Sequence, residues 1–220
     1  MTTPTTIDTD TELSAVNSIL GAIGQSPVTT LGTVTSDVTN SATEIANTYA
    51  NPEIALVYNL LTECNKDIQN EGWHFNTEEH VKVTPDANKN ILPPTDALRY
   101  DLHEGLQDKQ MDVVTRDGKL YDLVEHTNEF DKDLFIDVVT LYKFTDLPSV
   151  FQRYIIKSAA VRAATQLVNN PQLVQQLQIE EAKARASCME YECNMSDASF
   201  YGLPHESAYK SYQPFHALHR

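Results

Sequence analysis

Apolar side chains recur along this chain with two different periods, and the change of period divides it. Leu13, Val16, Leu20 and Ile23 follow one another at three- and four-residue steps and predict a short amphipathic helix over 11–24. Thr9 and Glu12 stand at capping-box spacing at its start, and Gly24 and Pro27 end it. Asn51-Pro52 opens a second helix, an N-cap followed by a proline whose missing N–H goes unneeded in a first turn. Ile54, Val57, Tyr58, Leu61, Cys64 and Ile68 keep helical spacing behind it. Leu56 and Leu60 widen that apolar face, which predicts deep burial of its first half, and Gly72 supplies the stop. Between the two helices, residues 29–43 hold eight Ser or Thr in fifteen, which predicts a polar loop, with a weak helix near Val38–Tyr49.

The period then shortens to two. Val81 and Val83 alternate with polar residues, as do Leu98, Tyr100 and Leu102. Asp117-Gly118 is a hairpin turn between Met111–Thr115 and Lys119–Val124, and Leu134–Phe144 is β-branched and aromatic. A small antiparallel sheet with sizeable loops follows from this. Pro148 reopens helix through residue 169, and Asn170-Pro171 repeats the helix-start signal. Leu173, Leu177, Ala184, Cys188, Tyr191 and Met195 then mark one face of a long helix, with Glu181 and Arg185 as an i,i+4 pair on its wet side. The expected class is α+β. An antiparallel helix bundle over 11–75 and 147–195 is interrupted by a β-rich insertion over 76–146. Residues 1–10 are expected to be a flexible N-terminus, and 196–220 a C-terminal docking tail.

Gly72-Trp73-His74-Phe75-Asn76 lies where the helical period gives way to the extended one, and it holds the single tryptophan. Gly72, Trp73 and Phe75 are expected to form a structural junction there. The other aromatic concentration, Phe200, Tyr201, Tyr209, Tyr212 and Phe215, falls in the last 21 residues without a helical period, between and around Pro204 and Pro214. Large, stiff, partly apolar rings outside a periodic element favour docking to a partner over packing on the chain's own bundle.

Charge narrows the function classes. The net charge is −15. Adhesion to DNA draws on Lys and Arg displacing counterions from phosphate, which this balance opposes. The same acidity keeps a chain soluble, and it would also repel a duplex sliding past. No apolar run approaches the roughly 18 residues of a membrane span. The threonine-rich start lacks a basic segment and an apolar core, so no signal peptide is expected. Cys64, Cys188 and Cys193 are widely spread and suit no disulfide framework.

Candidate chemistry is thin. Gly21-Ala22-Ile23-Gly24-Gln25-Ser26 places its glycines at a helix C-terminus, whereas a phosphate loop needs them at an N-terminus. Glu78-Glu79, Glu180-Glu181 and Asp131/Asp133/Asp137 are acid neighbours, but a glycosidase needs two carboxylates facing each other across a cleft. Asp131-x-Asp133 opens like a calcium loop and then puts Phe135 at a ligand position. His205, His216 and His219 read as surface histidines rather than a metal cluster. Arg153 and Lys157 share a face of the 148–169 helix with Arg162 half a turn out of phase, which favours pairing with neighbouring acids over a DNA-facing stripe. No catalytic, cofactor or metal site is expected.

Four collinear stretches carry a family resemblance. Glu12–Asn17 with Ile19-Leu20 and Ile23-Gly24 is similar to the opening of the tail tubular protein A family, the head-to-tail adaptors or gatekeepers of short-tailed bacteriophages. Gly72–Glu79 resembles the end of the family's second main helix, and Leu147-Pro148 with Phe151 and Tyr154-Ile155 resembles the start of its third. Glu180-Glu181, Ala184-Arg185 and Cys188–Glu192 resemble its last helix. The resemblance implies a virion structural protein with no enzymatic activity and no cofactor, at the head–tail junction of the tail and assembled in the host cytoplasm. It implies a dodecameric ring between the portal protein and the tail nozzle protein (tail tubular protein B). It also implies attachment of tail fibre protein, and a channel through which DNA passes without specific binding. The alternative from another class is a tail-associated peptidoglycan hydrolase using paired carboxylates.

Overall fold

A computed structural model describes residues 11–35, 46–49, 51–103, 111–168 and 170–195, without the side chains of 33–35 and 46–49. Helix α1 (Glu12–Ala22) is capped by Thr11, whose hydroxyl accepts the Ser14 N–H at 3.2 Å. Thr9, the expected cap, lies outside the described residues. At the other end Gly24 takes φ +81°, and the N–H groups of Gly24 and Gln25 return to the carbonyls of Gly21 and Leu20. This left-handed closure is the reason a glycine stops the helix there.

The serine- and threonine-rich segment departs from expectation. Strands β1 (Gly32–Thr35) and β2 (Ala46–Tyr49) pair antiparallel, with Gly32 opposite Tyr49 and Thr35 opposite Ala46. Residues 32–35 are therefore strand rather than loop, and the described end of the expected Val38–Tyr49 helix is extended. Threonine and valine lose side-chain freedom in a helix and fit a pleated ladder, which outweighs the weak helical spacing.

Asn51 caps α2 (Pro52–Gln69), its side-chain oxygen accepting the Glu53 N–H. Ile54, Val57, Leu60, Leu61, Cys64 and Ile68 are buried, while Leu56 is half-buried. Burial pushes the Cys64 thiol above its ordinary pKa. The chain folds into two compact units, one drawn from Met1–Ile68 and Lys143–Tyr191, the other from Gln69–Tyr142 and Glu192–Arg220.

The first unit is the helical one, and α3 (Ser149–Leu167) is its centre. Phe151, Tyr154, Ile155, Ile156, Ala159, Ala160, Ala163 and Ala164 are all buried, so α3 is covered on most of its circumference. Asn170 caps α4 (Pro171–Met195) by accepting the N–H groups of Gln172 and Leu173. Helices α3 and α4 run antiparallel. The Cys188 thiol reaches the Val150 carbonyl, Arg185 donates to the Tyr154 hydroxyl at 2.7 Å, and Lys157 pairs with Glu180. Of the expected α4 face, Leu177 and Cys188 are buried, Leu173, Ala184 and Tyr191 half-buried, and Met195 exposed. On the other flank Arg162 of α3 pairs with Asp67 of α2 at 2.7 Å, and the Tyr58 hydroxyl donates to Glu12 of α1 at 2.9 Å. Lys157 and Arg162 of α3 thus serve neighbouring acids, as their phase predicts.

The second unit carries the sheets. Strand β7 (Leu134–Thr140) is central, with β3 (Thr77–Val83) and β4 (Ala97–Leu102) antiparallel on its two sides. The hairpin β5 (Val113–Arg116) and β6 (Lys119–Asp122) turns at Asp117-Gly118, where both residues have positive φ, as a two-residue hairpin of this hand requires. Ile91, Val113, Leu120, Phe130 and Leu134 form its apolar core, with Val83, Tyr100, Leu102 and Met111 packed against it. The outcome is the expected α+β class, four helices with small antiparallel sheets.

Stability should follow burial rather than charge. Phe151 is fully buried and meets Tyr191 edge-on at 5.8 Å. Phe151→Ala is expected to cost about 3–5 kcal/mol in urea unfolding. Lys157→Ala breaks a pair whose side chains are 40% and 50% exposed, and is expected to cost less than about 1 kcal/mol.

Candidate functional site

The turn from Gln69 to Thr77 is the most heavily hydrogen-bonded feature of the second unit. Gln69 and Asn76 are both fully buried, which obliges their amides to find partners. The Asn76 side-chain oxygen accepts the Trp73 N–H at 2.8 Å, and its amino group donates to the carbonyls of Gln69 at 2.9 Å and Thr140 at 3.2 Å. Its backbone carbonyl accepts the Thr140 N–H, and its own N–H returns to Trp73. The Gln69 side chain exchanges two bonds with the backbone of Tyr142, donating to its carbonyl at 2.9 Å and accepting its N–H at 2.8 Å. Gln69 and Tyr142 are the first and last residues of the long segment of the second unit, so this exchange closes its neck.

The expected junction residues all lie within this turn. Gly72 has φ +80°, and a Cβ there would meet the Arg99 guanidinium at 3.0 Å and the Val139 side chain at 3.3 Å. The left-handed conformation favours glycine, and the tight space adds to the preference. Trp73 is only 5% exposed, and Phe75 is half-buried. The His74 side chain is exposed, and its N–H donates to Glu192 at 2.8 Å, a residue of the same unit. Sequence reading singles out Gly72, Trp73 and Phe75 from their types, and gives Gln69 and the Asn76 side chain no role. Phe200, Tyr201, Tyr209, Tyr212 and Phe215, with His205, His216 and His219, lie outside the described residues.

Three of the carboxylates singled out in the sequence, Asp131, Asp133 and Glu180, are drawn to separate cations. Asp131 pairs with Lys89 at 2.7 Å and Asp133 with Lys82 at 2.8 Å. Lys89 holds the Asp131 carboxyl below its usual range, and Lys157 does the same to Glu180. Glu78 accepts from the Tyr142 hydroxyl at 3.4 Å. Asp137 lies elsewhere, beside His80 and His103. The sequence hints at no metal among these three, because they are far apart along the chain and only the sheet brings them together. One ligand atom from each falls within 4.8 Å of the others.

Fully buried amides fix the backbone geometry of the turn from Gln69 to Thr77, and several surface charges settle into local pairs. The family model for tail tubular protein matches residues 13–198, and the chain belongs to that family, a structural component of the bacteriophage tail. It is similar to tail tubular protein A of Klebsiella phage KP34, with 31% identity over 137 residues. That match covers 62% of this chain and 62% of the relative's length.

Two substitutions probe the junction. Asn76→Ala removes the acceptor of the Trp73 N–H and one donor each from the Gln69 and Thr140 carbonyls, and is expected to cost about 3 kcal/mol or more. Trp73→Ala is expected to cost about 3–5 kcal/mol as a large buried side chain. Chemical denaturation measures both. In Asn76→Ala the emission of the single tryptophan should also shift to the red; a near-neutral Trp73→Ala would instead mean that the indole serves a partner.

Proposed function

We propose that this chain is the adaptor subunit of the tail, a dodecameric ring joining the portal protein to the nozzle protein (tail tubular protein B). It helps retain and then pass the genome, and it provides attachment for tail fibre protein. The observation that carries this reading is the extent of the family match, which takes in the described elements from α1 through α4. The relative from phage KP34 is named tail tubular protein A, the member to which the four collinear stretches point.

Two features of the chain support the reading. Its charge of −15, repeated around a ring, would make any acid-lined channel repel DNA and favour free sliding over adhesion. Helix α4 exposes Ile179, Met189 and Met195, apolar side chains of the kind a neighbouring subunit covers. In this reading the helical domain over 11–75 and 147–195 and the β-rich insertion over 76–146 are the parts of one ring subunit. Gly72, Trp73 and Phe75 form the structural junction in that subunit. The aromatics Phe200, Tyr201, Tyr209, Tyr212 and Phe215 dock the tail segment to the portal.

Electron microscopy of assembled tails tests the location: the chain is expected at the portal–nozzle junction, and density elsewhere in the tail would refute the assignment. A chain ending at Ser199 is expected to keep its circular dichroism while binding portal more weakly. Loss of helicity in that truncation would show that the segment belongs to the core instead.

A further inference from the structure

We propose that His80, His103 and Asp137 form a binding site for a divalent transition-metal ion of the zinc class. Each side chain comes from a different part of one sheet. His80 lies in β3, His103 directly follows β4, and Asp137 stands in the central strand β7. An ion held by all three would staple the three strands together.

The backbone around His80 is shaped for this. The register of β3 against β7 shifts between Glu78 and Val81, and within that bulge His80 adopts φ +61°. Bulges re-aim side chains, and a non-glycine residue in the left-handed region needs surrounding structure to hold it. Asp137 supplies that hold by accepting the His80 N–H at 2.9 Å. The same carboxylate lies 2.9 Å and 3.0 Å from the His103 Nδ1. The two imidazole rings meet with centroids 3.6 Å apart at 43°.

The donor set selects the metal. Two imidazoles and one carboxylate suit zinc, whereas calcium and magnesium prefer oxygen ligands throughout. Ligand atoms at about 2.0–2.1 Å from a tetrahedral ion lie about 3.3–3.5 Å apart. The present limit of 4.8 Å asks for a small side-chain rotation, available to His80 because it is exposed. Three protein ligands leave a fourth position for water, as in open zinc sites.

The test is a titration of the full-length chain, stripped with chelator, with zinc chloride, and with magnesium chloride in parallel. Saturable uptake of one zinc per chain, no uptake of magnesium, and a higher Tm with zinc are expected. Cobalt at the same site should give the visible absorption of a tetrahedral ion. His80→Asn removes the imidazole while keeping a residue that tolerates positive φ, and should weaken zinc binding by at least about tenfold. His103→Gln should do the same; should it fail to fold, His80→Asn decides alone. Absence of saturable zinc uptake would overturn the proposal. So would uptake that survives His80→Asn and disappears when His205, His216 and His219 are replaced together by glutamine.

Discussion

An insertion in a helical chain must return the backbone to the place where it left, and the closing of that neck is the constraint on which the second unit depends. Gln69 and Tyr142 meet it by direct exchange, the side-chain amide of one matching the backbone donor and acceptor of the other. Asn76 adds a second layer by holding the Gln69 and Thr140 carbonyls with one amino group. Fixing the two ends close together removes loop-closure entropy from everything between them. The strands then pair between ends already set at the right separation. Because the amides are fully buried, a single broken partner leaves a desolvated polar group, so the junction tolerates little alteration.

The parts of this architecture that were legible in the sequence are those governed by local chemistry. Asn51-Pro52 and Asn170-Pro171 announce helices because capping is decided within a few residues, and the structure shows both asparagine caps. Asp117-Gly118 announces a hairpin because few residue pairs accept its backbone conformation. The β1–β2 pair was not legible, since a threonine-rich segment looks like loop until a partner strand supplies its hydrogen bonds. Trp73 and Gly72 stand out by type, but Gln69 and Asn76 look like ordinary surface amides. Only the packing that removes water from them reveals their work. His80, His103 and Asp137 are likewise assembled by strand register, which no spacing along the chain encodes.

Electrostatics divides between local order and a global excess. Lys82, Lys89, Lys157 and Arg162 each hold one acid across elements, and Arg116 lies over the Tyr121 ring at 4.1 Å. These cations tie the surface together, while the unmatched acids leave the chain at −15. A net charge of this sign opposes adhesion to nucleic acid.

The alanines of α3 carry a consequence for how such a chain can vary. Ala159, Ala160, Ala163 and Ala164 present little beyond Cβ atoms, so neighbouring groups can lie close against the helix. A larger side chain at any of them would have to push a neighbour outward, whereas most positions of α4 end in solvent and accept exchange. Substitution is therefore expected to be tolerated more readily on α4 than on the buried alanine face of α3. Descendants can change the surface they offer to other proteins while the geometry beneath stays the same.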